Sequence, residues 1–314
     1  MRKFLITIGI GVCLAAMQSK AQSCCGNPSL STSGENILNF TTLSKKKVVI
    51  ELNSDFTQLK SNTHTDISTN SGHDHHNHST TTNNMNEHTS LKSISINTAQ
   101  IRYGLHDKLT LHAQVPLWFI SASDKHTFIL GDIPLLATYK LSQKENYGVG
   151  AIAGVELPTG NNYVVFENNY LITGSGSFDP LLGMSFWFKY KKFLTRVQTQ
   201  YKQGMKGYDD IHFGSTLNSQ WIVAYYLKGI DTESKFKLNL NTGLNQDWTN
   251  AHSLNGKFMD NTGSFILWYN AGMQIQYKKW LFPISFIIPV HTQMRGMQNE
   301  PQFRMKTGVT LLIN

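Results

Sequence analysis

The chain has 314 residues, of which 40% are hydrophobic and 11% aromatic, but only 15% are charged, where soluble domains carry about 25%. Its formal charge is +8; Arg2, Lys3 and Lys20 sit in a leader-like N-terminus whose removal takes +8 to +5, a mild bias that does not point to nucleic acid. Of the 3 cysteines, Cys13 lies in that leader and Cys24 and Cys25 are adjacent, which excludes a disulfide framework.

Residues 1–21 read as a secretory signal peptide. Met1-Arg2-Lys3 is basic, Phe4 to Met17 is apolar, and Ser19 and Ala21 place small residues at the −3 and −1 positions of a cleavage site. Residues 22–47 are small and polar, hold Gly26 and Pro28, and close on Lys45-Lys46-Lys47; they read as a periplasmic N-terminal segment. Beyond the leader the most apolar run, Trp280 to Val290, is broken by Pro283, Ser285 and Pro289. It is too short and too interrupted for a transmembrane helix, which needs about 20 apolar residues.

From residue 48 to 314 the dominant signal is alternation at period two, which turns apolar side chains to one face of a strand. Val48, Ile50 and Leu52 open it. Residues 60–90 then turn to Asn, Thr, Ser and His, a composition that cannot pack a core and predicts a disordered external loop. Leu91 to Leu105 resumes the pattern, with a slip near Asn97 of the kind a bulge produces. Next come Leu109 to Phe119, Ile133 to Leu141 and Val149 to Leu157. Further strands are expected around Phe186, Val197, Trp221, Leu240, Tyr269, Phe286 and Met305; Phe213 is placed with the Trp221 strand. Segments of about ten residues or more suit a tilted strand that crosses a bilayer. About twelve of them, an even number, predict an all-β fold: a transmembrane antiparallel β-barrel in the bacterial outer membrane.

The connections support this. The long ones (60–90, 121–127, 160–174, 204–210, 250–264 and 294–300) alternate with short ones such as His106-Asp107 and Lys278-Lys279. Outer-membrane barrels have short periplasmic turns and longer external loops. Phe119, Tyr139, Tyr190, Tyr201, Tyr225, Trp248 and Tyr277 fall near strand ends, as interfacial girdles require.

The opposite faces carry the candidate lumen lining: Glu51, Arg102, His112, Asp132, Lys140, Glu156, Asp179, Arg196, His212, His291 and Arg304, with Asp55, Lys189, Lys202, Lys237, Asp247 and Lys306 beside them. A mixed-sign lining can bound a wet channel or form an ion-paired plug. Half of the 12 histidines lie in the external loop. His64, His73, His75, His76, His78 and His88, with Asp74, could bind Zn, Cu or Ni, although the spacing matches no structural zinc site. Cys24-Cys25 could add a soft thiolate pair. No Gly-x-Ser-x-Gly elbow is present, the Gly/Ser run at 174–177 reads as a flexible loop, and no catalytic residue or bound cofactor is expected.

Short motifs add a resemblance. Arg102-Tyr103-Gly104-Leu105 followed by Leu109-Thr110-Leu111, Gly131-Asp132-Ile133 with Tyr139-Lys140, Leu157-Pro158-Thr159-Gly160, and Gly174 to Asp179 resemble the bacterial outer-membrane transporters grouped with the meta-pathway of phenol degradation. His106 stands where that family usually has Thr or Ser. The resemblance implies a passive barrel for small apolar or aromatic compounds and names no catalytic residue. The expected partners are outer-membrane lipid and a small-molecule or metal solute. The alternative is a metal-binding or structural surface barrel with a blocked lumen.

Overall fold

The structure, a computed structural model, describes residues 21–22, 42–60, 91–122, 125–161, 164–166, 169–171, 173–229 and 234–313. Twelve long strands form the wall: β1 (Val48–Leu59), β2 (Leu91–His106), β3 (Leu109–Ala122), β4 (Ile133–Gln143), β5 (Tyr147–Leu157), β6 (Asp179–Tyr190), β7 (Phe193–Lys202), β8 (Thr216–Lys228), β9 (Phe236–Thr249), β10 (Ser264–Tyr277), β11 (Trp280–Met294) and β12 (Pro301–Ile313). Each pairs antiparallel with its neighbours in sequence, and β12 returns to β1, so the sheet closes without a free edge. Closure satisfies the backbone of every strand from within the wall, which a lipid environment demands.

The alternation decides which face meets lipid. In β11, Phe282, Ile284, Phe286 and Ile288 are exposed, while Leu281, Pro283, Ser285 and Ile287 are buried inside. Leu182, Met184, Phe186 and Phe188 do the same on β6. Repeated around the wall, this makes an apolar outer surface far beyond the few hundred Å² a soluble monomer tolerates. The aromatics expected at the rims lie on that outer face, with Trp248 only partly exposed. Among the described residues the one helical element is a single turn, Tyr208–Asp210, and no helix is long and apolar enough to cross a membrane. Pro283 and Pro289, which interrupt the apolar run, both lie within β11.

Three expectations need correction. The 121–127 stretch is not simply a loop: β3 runs to Ala122, and Lys125–Leu130 folds back on it with Phe128 opposite Phe119. The slip at Asn97 is not a bulge, since β2 pairs with β1 in unbroken register from Gln58 opposite Ser93 to Val48 opposite Tyr103. The apolar residues simply change face there: Ile94 and Ile96 point inward, Ile101, Tyr103 and Leu105 outward. Phe213 precedes β8 and is buried under the loops.

The short-turn end is also closed partly by the N-terminal stretch. Leu43 N–H donates to Thr110 Oγ1 at 2.7 Å, and Lys46 N–H to the Gly104 carbonyl at 2.7 Å. Thr110 and Gly104 face inward, so residues 42–47 lie inside this rim. Glycine is required at 104 because a Cβ would meet the Ser44 carbonyl. Ala21–Gln22 pairs with Tyr170 and Leu171, in a long connection. Cys24 and Cys25 lie outside the described residues.

Candidate solute path through the barrel

The interior is polar through most of the wall. Inward residues of β1 to β3 include Glu51, Asp55, Thr98, Gln100, Arg102 and Gln114, all buried. On β8 to β10 stand Asn218, Asn239, Asn245, Asp247 and Asn270, and on β12, next to β1, Arg304 and Lys306. They form three ionic groups. Near the short-turn end Arg102 pairs with Glu51 on the neighbouring strand. His112, directly opposite Arg102 in the β2–β3 register, shares a 3.0 Å hydrogen bond with Thr138 Oγ1, and its Nδ1 has no protein partner.

The second group is centred on Arg304. Its Nη2 donates to Asp55 Oδ2 at 2.7 Å and Nε to Asp55 Oδ1 at 3.3 Å. Nη1 reaches Asp247 Oδ2 at 3.2 Å. Asp55 stands on the adjacent strand, but Asp247 is on β9, three strands away, so this guanidinium reaches across part of the lumen. It also lies over the Trp268 ring, 4.9 Å from its centroid, and Trp268 Nε1 donates to the same Asp247 oxygen at 2.9 Å. Lys306 adds a 3.6 Å contact to Asp55. A buried guanidinium needs this many partners because an unpaired charge there would cost several kcal/mol.

The third group pins the long loops. Asp132 sits where the strand pairing breaks between Leu130 and Ile133. It accepts the Gly160 N–H at 2.8 Å, the Ser175 N–H at 2.6 Å and Ser175 Oγ at 3.0 Å. Asp179 accepts Ser177 Oγ at 2.6 Å and the Met205 N–H at 3.0 Å. Lys202 donates to Glu156 at 2.8 Å and stands 3.8 Å from Asp179. The Gly/Ser run at 174–177, expected to be flexible, is instead buried for most of its length and fixed by these carboxylates. Beside it, His252 Nδ1 accepts the Gly214 N–H at 2.8 Å, tying two loops together. Burial, with Lys202 nearby, pushes its imidazole down to about 4.

The residues expected to line the lumen therefore divide. Glu51, Arg102 and His112 come together, as do Asp132, Glu156 and Asp179, and Arg304 stands at a crossing. Lys140 is half-buried near the short-turn end, and Arg196 hydrogen-bonds Gln198. His212 does not line the lumen: it is exposed in a two-residue strand that pairs with Ser253–Leu254 beyond the wall. His291 is also misplaced by the alternation. A bulge puts Pro289 opposite Trp268 and His291 opposite Leu267, which shifts the phase and turns His291 outward against Phe265. His64, His73, Asp74, His75, His76, His78 and His88 lie outside the described residues. Among the described residues no three His, Cys, Asp or Glu side chains gather as a metal set.

Several residues of the path were not singled out in advance. Trp268 and His252 are ordinary in sequence, and only their partners mark them; Ser175 and Ser177 stood out as a loop run and motif, not as partners of Asp132 and Asp179. Gln100 and Gln114, opposite each other across β2 and β3, are buried with neither amide atom bonded to protein. Buried amides in this state call for water or a bound solute.

A closed twelve-stranded barrel with an apolar outer belt and a polar interior defines an outer-membrane β-barrel, and the bacterial outer membrane is its location. The chain is similar to a crystal structure of an outer membrane channel from Pseudomonas putida, with a TM-score of 0.61 at 15% identity, over 88% of this chain and 98% of that one. Weaker likenesses are to the NanC porin (TM-score 0.44, 8% identity, 69% and 93% of the two chains) and to LpxR from Salmonella typhimurium (0.43, 7%, 83% and 99%). At these identities the likeness to the first establishes the fold, and the other two carry no argument. No protein-family profile and no curated protein matches the chain.

Proposed function

We propose that this barrel is an outer-membrane channel that passes small solutes, of the kind handled by the transporters its motifs resemble. The observation that carries this is the lumen lining: amide, hydroxyl and charged groups continue along the wall, and Gln100 and Gln114 keep hydrogen-bonding atoms that protein does not satisfy. A polar interior is how a barrel accommodates water and solute. The interior near the long loops is different. Leu59, Ile94, Ile96, Trp118, Ile120 and Ile129 form an inward apolar cluster there, which favours small apolar or aromatic compounds over ions as first contacts.

Planar-bilayer recording and liposome uptake test the channel. Measurable conductance is expected, increased when Arg304 is replaced by a shorter side chain together with Asp55→Asn and Asp247→Asn. The second reading, a barrel with a blocked lumen, is favoured by the reach of Arg304 to Asp247 and the deep burial of the lining. It predicts no conductance or uptake from the folded barrel in either form.

The His-rich stretch is proposed to capture Zn, Cu or Ni at the external mouth. Deleting residues 70–88 should leave heat-modifiable migration intact and remove metal binding measured by titration calorimetry at neutral pH. Equal binding by the intact and deleted proteins would end that part of the reading.

A further inference from the structure

The two rims of the barrel treat their lysines differently. At the long-loop rim two of the exposed lysines meet carboxylates, Lys60 pairing with Glu300 at 2.6 Å and Lys206 with Asp210 at 2.8 Å, and Lys92 and Lys257 are exposed there as well. At the short-turn rim each of the five turns carries an exposed lysine in it or at its edge: Lys108, Lys144, Lys191, Lys228 and Lys278. Lys45-Lys46-Lys47 continues the series beside β1. Among the described residues only Asp107 and Glu145 oppose this charge in the turns; the β8–β9 connection also contains Asp231 and Glu233, which lie outside the described residues.

Four of these lysines are placed over aromatic rings. Lys144 lies 5.7 Å from the Tyr147 ring centroid, Lys191 5.3 Å from Tyr190, Lys228 5.6 Å from Phe236 and Lys278 5.2 Å from Tyr277. Tyr190 and Tyr277 are on the outer face and more than half exposed, at 58% and 51%. Aromatic rings on a lipid-facing wall mark the headgroup depth. An ammonium held at that depth meets phosphate, and each basic residue near an anionic surface adds attraction.

We infer that the short-turn rim is a binding collar for anionic phospholipid headgroups of the leaflet it faces. The distribution selects this partner. A folded protein would need one cationic face, whereas the lysines here recur around the whole circumference, as a surrounding leaflet does. The proposal does not depend on whether the lumen conducts.

The test uses the full-length protein, folded in detergent micelles, with native mass spectrometry during titration by phosphatidylglycerol and by phosphatidylcholine. The wild type should retain phosphatidylglycerol preferentially. The K144Q/K191Q/K228Q/K278Q protein should lose about tenfold or more of that preference. A control with equal charge removed at the other rim, K60Q/K92Q/K206Q/K257Q, should keep it. If the quadruple variant fails to show heat-modifiable migration, the pair K191Q/K278Q serves, with a smaller loss in the same direction. An unchanged preference in the collar variants would overturn the proposal, as would an equal loss in the control, which would reduce the effect to net charge.

Discussion

The two halves of strand β2 invert one pattern. In the lower half of β2, Ile101, Tyr103 and Leu105 point outward and Gln100 and Arg102 inward. In the upper half of the same strand Ile94 and Ile96 point inward, and Ser93, Ser95 and Asn97 look outward, half-exposed. β3 and the Lys125–Leu130 strand follow it only on the inside, where Trp118, Ile120 and Ile129 pack; their outer face stays apolar, with Phe119 opposite Phe128. The backbone period never changes; only the medium on each side does. Along the lower part of β1 to β3 the apolar face turns outward and polar groups gather in the lumen, whereas on β6 to β8 the inward face near the short turns is itself apolar, with Trp187, Leu194, Ile222, Ala224 and Tyr226 packed together. Nearer the long loops the wall leaves hydrocarbon, and the interior becomes a small apolar core of the kind a soluble β-structure would have.

The largest expected effect tests the polar interior. Arg304→Met removes the cation shared by Asp55 and Asp247, and leaves Asp55 with Lys306 nearby and Asp247 with the Trp268 indole N–H. Breaking such a network costs about 3–5 kcal/mol, because the remaining charges stay desolvated. Urea unfolding in detergent micelles should show that loss, and adding Asp55→Asn and Asp247→Asn should recover most of it. A loss that persists in the triple variant would mean that the packing of Arg304 on Trp268, not its charge, holds the lumen together.

Much of this was legible in sequence, and the failures have one physical source. Alternation and loop lengths carry strand number, closure and outer face, because lipid imposes a strict rule on one side of every strand. The lumen obeys no such rule. Glu51, Arg102, Asp132 and Arg304 could be placed inside by parity, but parity says nothing of partners. It also fails at a bulge, so His291 lies outside, and beyond the wall, so His212 sits among the loops. At Asn97 an exchange of apolar faces looked like a register slip because both disturb the apolar series in the same way. The Gly/Ser run at 174–177 has a loop composition, and only the carboxylates of Asp132 and Asp179, distant in sequence, make it rigid.

A second test places the same charge on both halves of the outer wall. Ile284 on β11 is lipid-facing, four strand residues from the Trp280 rim, and 47% exposed. Ile284→Arg should destabilise the barrel by about 2–4 kcal/mol, the cost of a cation near the bilayer midplane. Ser93→Arg, outward on the upper half of β2, should cost only about 0–1 kcal/mol, as near an interface. Refolding into lipid vesicles at graded urea concentrations reads both. Equal penalties would show that hydrocarbon covers the upper wall too, and the inversion of faces would lose its explanation.

The smallest effect concerns the loops above the inversion. His252 is 6% exposed, its ring tilted against Phe213 at 5.2 Å, and its Nδ1 must stay unprotonated to accept the Gly214 N–H. Its folded value is depressed to about 4 from the ordinary 6.5, first by burial and then by Lys202. Above pH 6.5 the imidazole is neutral whether the loops are docked or released, and the docked state has its full stability. As pH falls below 6.5 the released form takes up a proton that the docked form refuses, so docking weakens steadily until about pH 4, where the docked ring is protonated as well. The total loss is roughly 3 kcal/mol at most. It should appear as faster proteolysis within 203–215 and 250–263 at pH 5 than at pH 7, with the wall strands still protected. His252→Gln keeps an acceptor but cannot titrate, so its cleavage rate should be the same at both pH values. A variant that still loosens in acid would show that His252 does not control the docking of these loops.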